Sequence, residues 1–513
     1  MLHTPLVDFS LAETVLKRAD LDPENRAIVF EEREYTYREL VDRVRRLATA
    51  LREGGICAGD RVGYLGVNHP AFLETLLATS TLGAIFVPLN FRLTGPELEF
   101  IINDAGIHTL VTDDTLLPVI EPVRDELCVR RHIGAESGGE GRADYEALLA
   151  AAEPHPGHVA ATAQDTAVIM YTSGTTGRPK GAMLTHGNVL WNNVSAAFAL
   201  SSNPDDITLT AAPLFHIGGL NVTTLLAMQI GACVVLHRSF DPTKALEDIE
   251  RYRCTTMFGA PAMFLFMAQQ PRFADTDLSS LRSLVVGAAP VPKSLLEVYG
   301  SRGVNLDQGY GLTETSPLVS FLKSQYTAAK LGSAGKPGLF GEIRVADEDG
   351  KSVAAGEVGE ILYRGPNVMK GYWNRPEATA EAIDEDGWFH TGDAGYLDED
   401  GFLFISDRVK DMVISGGENV YPAEVEGVLY EHPAIAEVAI IGLPDEKWGE
   451  AVTAVVALAE DAEVTLEELR DFAGGKLARY KLPLRLHIVQ ALPRNPAGKV
   501  LKFELREKFA PDA

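Results

Sequence analysis

The chain has 513 residues, 46% of them hydrophobic, enough for at least two domains around well-filled cores. Lys and Arg number 46 against 72 Asp and Glu, a formal net charge of −26 that argues against nucleic acid and anionic membrane surfaces as partners. Four scattered cysteines make no CxxC pair, the N-terminal stretch shows no signal-peptide pattern, and no apolar run reaches the roughly 20 residues of a membrane span, so a cytoplasmic protein without an integral membrane segment is expected.

Residues 36–53 (TYRELVDRVRRLATALRE) carry apolar residues at helical spacing, with Thr36 as the expected cap and Glu39 three positions on. RVGYLGV (61–67) predicts a strand, FLETLLATSTLG a helix and AIFVPL a further strand. TGPELEFIINDAG (94–106) opens on a capping pattern and closes on glycine, and HTLVTDD follows as a strand. GACVVLH (231–237), TTMFGAP (255–261) and SLVVGAAP (283–290) continue the alternation, which implies parallel sheets with helical crossovers. After about residue 335 the pattern turns β-rich, with two strand runs in GEIRVADEDGKSVAAGEVGEILYRG. A last compact unit alternates strands (VAIIGLP, AVTAVVAL) with helices (PAEVEGVLYEH, TLEELRDFAGGKL). Residues 476–508 hold nine Lys or Arg and two Glu, 9 − 2 = +7, and read either as a solvated helical face or as a surface for an anionic partner.

The stretch YTSGTTGRPKG (171–181) follows the apolar AVIM. It is not a Walker A loop, which needs lysine directly after glycine; here Lys180 stands between Pro179 and Gly181. Gly174 and Gly177 let backbone N–H groups converge, and Thr172, Ser173, Thr175 and Thr176 add hydroxyls. A flexible linker could have this composition, but its place after a buried strand favours phosphate binding.

The whole string, with LTHGN (184–188), PLFHIGG (213–219), VVGAAP (285–290), DQGYGLTE (307–314), GWFHTGD (387–393), DRVKDMVISGGENVYPAEVE (407–426) and PRNPAGKV (493–500), resembles the adenylate-forming superfamily of acyl-CoA synthetases, peptide-synthetase adenylation domains and luciferases, and most of all the fatty-acyl-CoA synthetases. The resemblance implies an α/β fold. A large N-terminal domain (1–407) would hold two parallel-type α/β subdomains and a β-barrel, and a small mobile α+β domain (408–513) would turn on a hinge near Lys410. It implies an ATP-, Mg²⁺- and coenzyme A-dependent ligase of fatty acid metabolism that forms an acyl adenylate and passes the acyl group to a thiol. An acyl carrier protein is the alternative acceptor, and an aryl acid the alternative substrate.

By the same resemblance Ser173, Gly174, Thr175, Thr176, Gly177 and Lys180 hold the β- and γ-phosphates, and Glu314 binds Mg²⁺ with Thr172 or Thr313. The adenine lies between Gly287, Ala288 and Ala289 and the Tyr310 ring, with Asp307 at its amino group, and Gln308 and Gly309 also belong to the ATP site. Asp393 and Arg408 hold the ribose, Lys499 serves the adenylation step, and Gly416 and Gly417 wall the pantetheine tunnel. His216 gates between acid pocket and tunnel, a base role being the alternative. The acid pocket draws on His216, Gly218, Gly219, Phe258 and Gly259, where the glycines are expected to leave room for a medium- or long-chain fatty acid; the flanking stretches HIGGLNVTTLLAMQIGA and TTMFGAPAMFLFMAQ carry no charge that would pair a second carboxylate. The hinge motif reads SDRVKD, where many members carry glycine before the arginine, and no insertion typical of fatty acyl-AMP ligases is visible.

Overall fold

The computed structural model describes residues 10–510 except 140, 158–160, 173–178, 290, 409–410, 416–417, 446–447, 461, 475, 478 and 495–499, with backbone only at 407, 408, 414, 418, 419 and 449. The chain forms two compact units: one runs up to Ile343 and includes Tyr363–Phe389, the other comprises Arg344–Leu362 and the chain from His390 onward.

In the first unit the chain weaves between two sheets. It starts one sheet with β1 (Arg26–Phe30) and β2 (Arg33–Thr36). It then builds most of another from β3 (Arg61–Leu65), β4 (Ile85–Leu89), β5 (Ile107–Thr112), β6 (Arg131–Gly134), β7 (Ala143–Asp144), β8 (Thr166–Thr172) and β9 (Lys180–Thr185). It returns to the first sheet with β10 (Ile207–Thr210), β11 (Cys233–Leu236), β12 (Thr256–Gly259), β13 (Ser283–Gly287), β14 (Leu306–Gly311), β15 (Leu318–Leu322) and β16 (Lys336–Pro337). The nine-stranded sheet has the order β16-β15-β14-β13-β12-β10-β11-β1-β2; the eight-stranded one runs β9-β8-β4-β3-β5-β6-β7, with the short strand Gly371–Tyr372 added beside β9.

Strands β10 to β14 with β11 and β1 in one sheet, and β3 to β8 in the other, pair in parallel, while β14–β15–β16, β1–β2 and β8–β9 are antiparallel. Strands β4 and β13 are buried along their whole length, as expected where helices cover both faces. The helix Tyr37–Glu53 begins with the expected Thr36–Glu39 capping box, and Gly95–Ala105 ends on Gly106 at φ 66°, where glycine takes the left-handed conformation freely. Every residue of the helix Pro70–Thr81 is buried, because one apolar core joins it to strands of both sheets: Ile28 and Val234 of the nine-stranded sheet, Val62 and Phe86 of the eight-stranded one.

The β-rich segment forms a half-barrel of four strands: Glu342–Ala346, Gly359–Arg364, Phe389–Leu397 and Leu403–Arg408. The second unit also contains a five-stranded sheet built around the long antiparallel pair Ile435–Asp445 and Gly449–Leu458. Its core of Val425, Leu429, Ile440, Val452, Val456 and Leu469 packs helices Pro422–Leu429 and Leu466–Gly474 on that sheet. The architecture is therefore the expected mixed α/β one. The basic segment is not a bare cationic surface: six of its nine cations pair with acids of the same unit. Lys481 meets Glu424 at 2.6 Å, Arg485 meets Asp445 at 2.7 Å, Arg494 meets Glu437 at 2.6 Å, Lys502 meets Glu426 at 2.8 Å and Arg506 meets Asp411 at 2.9 Å, while Lys476 pairs with Glu431. Spacing along the chain could not reveal this, since the acids come from residues 411–445.

Candidate active site

The parallel strands β10, β12, β13 and β14 end at one edge of the nine-stranded sheet, and the residues picked from the sequence follow those ends. Ligands of open α/β sheets bind in such a place. Gly287 ends β13 beside Gly309 of β14, so two residues without side chains lie in register. Ala288 and Ala289 follow, both exposed. Ala288 holds φ 69°, a left-handed conformation that costs a residue with a β-carbon about 1–2 kcal/mol. Tyr310 stands half-buried on β14, beyond Gly309. Together these make a flat ledge of small residues with one aromatic ring, suited to a planar base.

Asp307 and Gln308 divide the polar work of β14. The Asp307 carboxylate is already engaged, accepting from the Ser283 hydroxyl at 2.5 Å and the Ser324 N–H at 2.7 Å. The Gln308 amide nitrogen is buried without a hydrogen-bond partner among the described residues. A free buried donor is costly unless something fills it, so Gln308 offers a donor here, while Asp307 keeps acceptor capacity beyond its two hydrogen bonds.

β14 leads into the single turn Thr313–Thr315, where Glu314 is 8% exposed. One carboxylate oxygen, Oε1, accepts from the Tyr372 hydroxyl at 2.9 Å and lies 3.4 Å from the Thr172 hydroxyl at the end of β8. The Lys180 ammonium, opening β9, sits 5.2 Å from the centre of the Tyr372 ring and makes no ion pair among the described residues. Two sheets thus converge on one point, with Thr172 and Lys180 from the eight-stranded sheet and Glu314 from the end of β14. Carboxylate and hydroxyl oxygens are hard donors, and one carboxylate with room for phosphate and water suits Mg²⁺ better than a closed protein cage would. Tyr372 was not picked from the sequence. Its signal, an aromatic residue in MKGYWN, becomes legible only when the strand Gly371–Tyr372 pairs with β9.

His216 caps the short helix Ile217–Asn221, and its ring lies 4.2 Å from that of Phe215. Burial, reinforced by the nearby Arg92 charge, pushes its pKa down to about 4, so the imidazole is neutral at physiological pH and a weak base. The expectation that Gly218 and Gly219 leave room for a chain is corrected here. A β-carbon at Gly218 would lie 2.6 Å from Phe258 Cε1, and one at Gly219 would lie 2.2 Å from the Pro213 carbonyl oxygen. The space is already filled, by an aromatic ring and by backbone. Phe258 also packs in an apolar cluster with Ala197, Val222, Leu318 and Phe321, and Gly259 ends β12 directly behind it.

Asp393 lies in the second unit, 6% exposed, opposite Arg408 across an antiparallel pair, its N–H bound to the Thr391 hydroxyl at 3.1 Å. Ser173, Gly174, Thr175, Thr176, Gly177, Lys410, Gly416, Gly417 and Lys499 lie outside the described residues, as does the side chain of Arg408.

A ledge of small residues with one aromatic ring, a carboxylate beside hydroxyl groups and a lysine without an ion pair among the described residues thus gather at strand ends of the first unit. The chain belongs to the AMP-binding enzyme family: that family's model matches residues 15–373, and the model of its C-terminal domain matches residues 424–499. It is similar to a feruloyl-CoA synthase from Amycolatopsis sp., 44% identical over 96% of this chain and 98% of that protein. It is also similar to the long-chain-fatty-acid–CoA ligase FadD13 from Mycobacterium tuberculosis, 40% identical over 93% of each. Among solved structures it resembles the o-succinylbenzoate CoA synthetase MenE from Bacillus subtilis in complex with its acyl-adenylate intermediate, with a TM-score of 0.87 and 35% identity over 99% of this chain and 100% of that one. It is an AMP-forming acid–CoA ligase that uses ATP, Mg²⁺ and coenzyme A. Among the described residues no helix is long and apolar enough to cross a membrane.

Proposed function

We propose that this chain activates a compact aryl or arylalkyl carboxylic acid as its adenylate and transfers the acyl group to coenzyme A. The observation that carries this is the Phe258 ring over Gly218, also 3.3 Å from where a β-carbon on Gly287 would lie: a flat wall at the strand ends, where a planar ring stacks and an alkyl chain gains little. The 44% identity to a feruloyl-CoA synthase supports the same class. A medium- or long-chain fatty acid is the second reading. It is favoured by the wholly apolar cluster that continues behind Phe258 through Val222 and Leu226, and by the likeness to FadD13.

In the proposed chemistry the acid's carboxylate attacks the α-phosphorus of ATP, and pyrophosphate leaves. Two unit charges at 4 Å repel by about 4 kcal/mol at an effective dielectric of 20, so the site must bring cations and fixed donors. Lys180 and the loop 173–178 hold the phosphate tail, Gln308 takes the adenine edge beside Gly287–Ala289 and Tyr310, and Asp393 with Arg408 takes the ribose. Glu314 and Thr172 hold Mg²⁺, which neutralises phosphate charge when bound. Lys499 steadies the charge that shifts during adenylation. Movement of a C-terminal domain (408–513) about Lys410 then brings Gly416 and Gly417 in for thiolysis. His216, neutral and weakly basic, acts as a gate between acid and thiol. Coenzyme A is preferred over a carrier protein because three of the four cations in KLARYKLPLR, namely Lys476, Lys481 and Arg485, are already paired.

The test is kcat/KM for a hydroxycinnamate, an arylacetate and dodecanoate in a pyrophosphate-release assay, with CoA and a holo-carrier protein compared as acceptors. One ring stacked on Phe258 is worth about 0.5–1.5 kcal/mol, so at least one aryl acid should exceed dodecanoate by about three- to tenfold. Dodecanoate ahead of every aryl acid overturns the aryl reading.

A further inference from the structure

The segment that carries Glu314 is held by a cage of asparagines. Residues 314–318 run from the turn Thr313–Thr315 into the start of β15, and the carbonyls of Thr315 and Ser316 take side-chain donors. Buried backbone polar groups need partners, and here three asparagine side chains supply four of them, beside the Ser316 N–H on the Thr313 carbonyl and the Leu312 N–H on the Pro317 carbonyl. Asn367 donates to the carbonyls of Thr315 and, at 2.8 Å, Leu318. Asn221 donates to the carbonyl of Ser316, and Asn192 accepts from the N–H of Leu318 at 2.9 Å. The Met369 N–H closes the set at the Glu314 carbonyl, 2.8 Å away. Asn192 and Asn221 are fully buried, and Asn367 is 2% exposed.

The cage is itself tied together. Asn192 donates to the main-chain carbonyl of Asn221 at 3.0 Å, and the Tyr363 hydroxyl donates to Asn367 at 2.8 Å. Asn221 ends the helix that His216 caps, and Asn192 lies on His186–Leu200, whose Ala197 packs in the apolar cluster with Phe258. The walls of the acid pocket and the carboxylate at the metal point therefore share one hydrogen-bond frame.

Asn221 is not placed there for stability alone. Its amide nitrogen must face the Ser316 carbonyl, which fixes the orientation, and the opposite atom, Oδ1, is then left buried with no hydrogen-bond partner among the described residues. The Ser316 hydroxyl is likewise buried and without a hydrogen-bond partner among the described residues. A turn built only to be stable gains nothing from two such groups, so their presence asks for a functional reason.

We propose that Asn192, Asn221 and Asn367 are positioning residues for adenylation: they hold residues 314–318 in one conformation so that Glu314 meets Mg²⁺ in a fixed geometry, and Asn221 couples that geometry to the helix beginning at His216. The inference rests on Glu314 being the metal carboxylate, as proposed above. Hydrogen-bonded groups behind a ligating carboxylate set its orientation, and losing one costs about ten- to hundredfold in metal affinity or activity.

The test uses the full chain with Asn221→Ala and Asn192→Asp, the second chosen because it is isosteric and keeps the acceptor for Leu318 while losing the donor to Asn221. Mn²⁺ affinity is measured by electron paramagnetic resonance in the presence of a non-hydrolysable ATP analogue, amide hydrogen exchange of residues 313–318 in nucleotide-free protein, and thiolysis of a supplied acyl adenylate separately from its formation. The expected result is about ten- to hundredfold weaker Mn²⁺ binding, faster exchange at Ser316 and Leu318, and thiolysis within about twofold of the parent. Mn²⁺ affinity within about twofold of the parent in both folded variants, or equal loss of both half-reactions, overturns the proposal. Glu314→Gln separates the two levels. If it leaves Mn²⁺ binding intact, the assignment of Glu314 fails and this inference with it; if it weakens binding while both asparagine variants do not, only this inference fails.

Discussion

At the strand ends of the first unit Lys180 stands over the Tyr372 ring with no carboxylate paired to it among the described residues, whereas in residues 476–508 six of nine cations are tied to acids of their own unit. By sequence the second region looked the stronger anion site, at +7 in a chain of −26. The comparison shows that formal charge and available charge differ. A cation already meeting a carboxylate at 2.6–2.9 Å offers little to a further anion, while an unpaired lysine beside hydroxyl donors keeps its full field for phosphate.

The sharpest way to break that comparison is to remove one cation from each region. Lys180→Ala should lower adenylation by about 10²–10³-fold, the usual loss when one preorganised electrostatic group leaves a site. Lys481→Ala breaks an exposed pair worth about 0–1 kcal/mol and should leave adenylation nearly unchanged. Pyrophosphate release at saturating acid measures both, and equal losses would refute the distinction. A smaller effect is expected at Tyr372→Phe, which takes a hydroxyl from Glu314. A hydrogen bond to a charged group is worth about 1.5–3 kcal/mol, so Mg·ATP affinity by calorimetry should fall by at least about tenfold, with the fold retained.

The third effect is the smallest near neutral pH and concerns burial instead of pairing. His186 and His216 are both pushed down to about 4 by burial, and His186 Nδ1 accepts the Leu11 N–H at 2.9 Å. The unfolded chain takes up protons near the ordinary value of 6.5 while the folded chain does not until about 4. The unfolded state therefore binds more protons in that window, and stability should drop as pH falls through it. Chemical denaturation midpoints at a series of pH values test this, and replacing His186 with Gln should flatten the slope.

Helices with their own caps and periodic faces were legible in the sequence, such as Tyr37–Glu53 behind Thr36 and Gly95–Ala105 before Gly106, because the signals lie within a few residues of the element they define. The strands ending in Gly259 and Gly287 were legible for the same reason. Glu314, Lys180 and Thr172 could be picked out by resemblance, since their neighbours along the chain mark them.

What only the tertiary structure decided are relations between residues far apart. The Tyr372 hydroxyl reaches Glu314 across 58 positions of chain, and the Phe258 ring fills the space beside Gly218, which the sequence suggested was open. Asn367 reaches back across 52 residues to Thr315, Asp307 accepts from Ser283 and Ser324, and the Gln308 nitrogen is buried without a partner among the described residues. Backbone periodicity is a local property and is written in neighbouring residues. Hydrogen-bond saturation, the filling of a glycine's space and the neutralisation of a charge depend on which distant groups folding brings within a few ångströms.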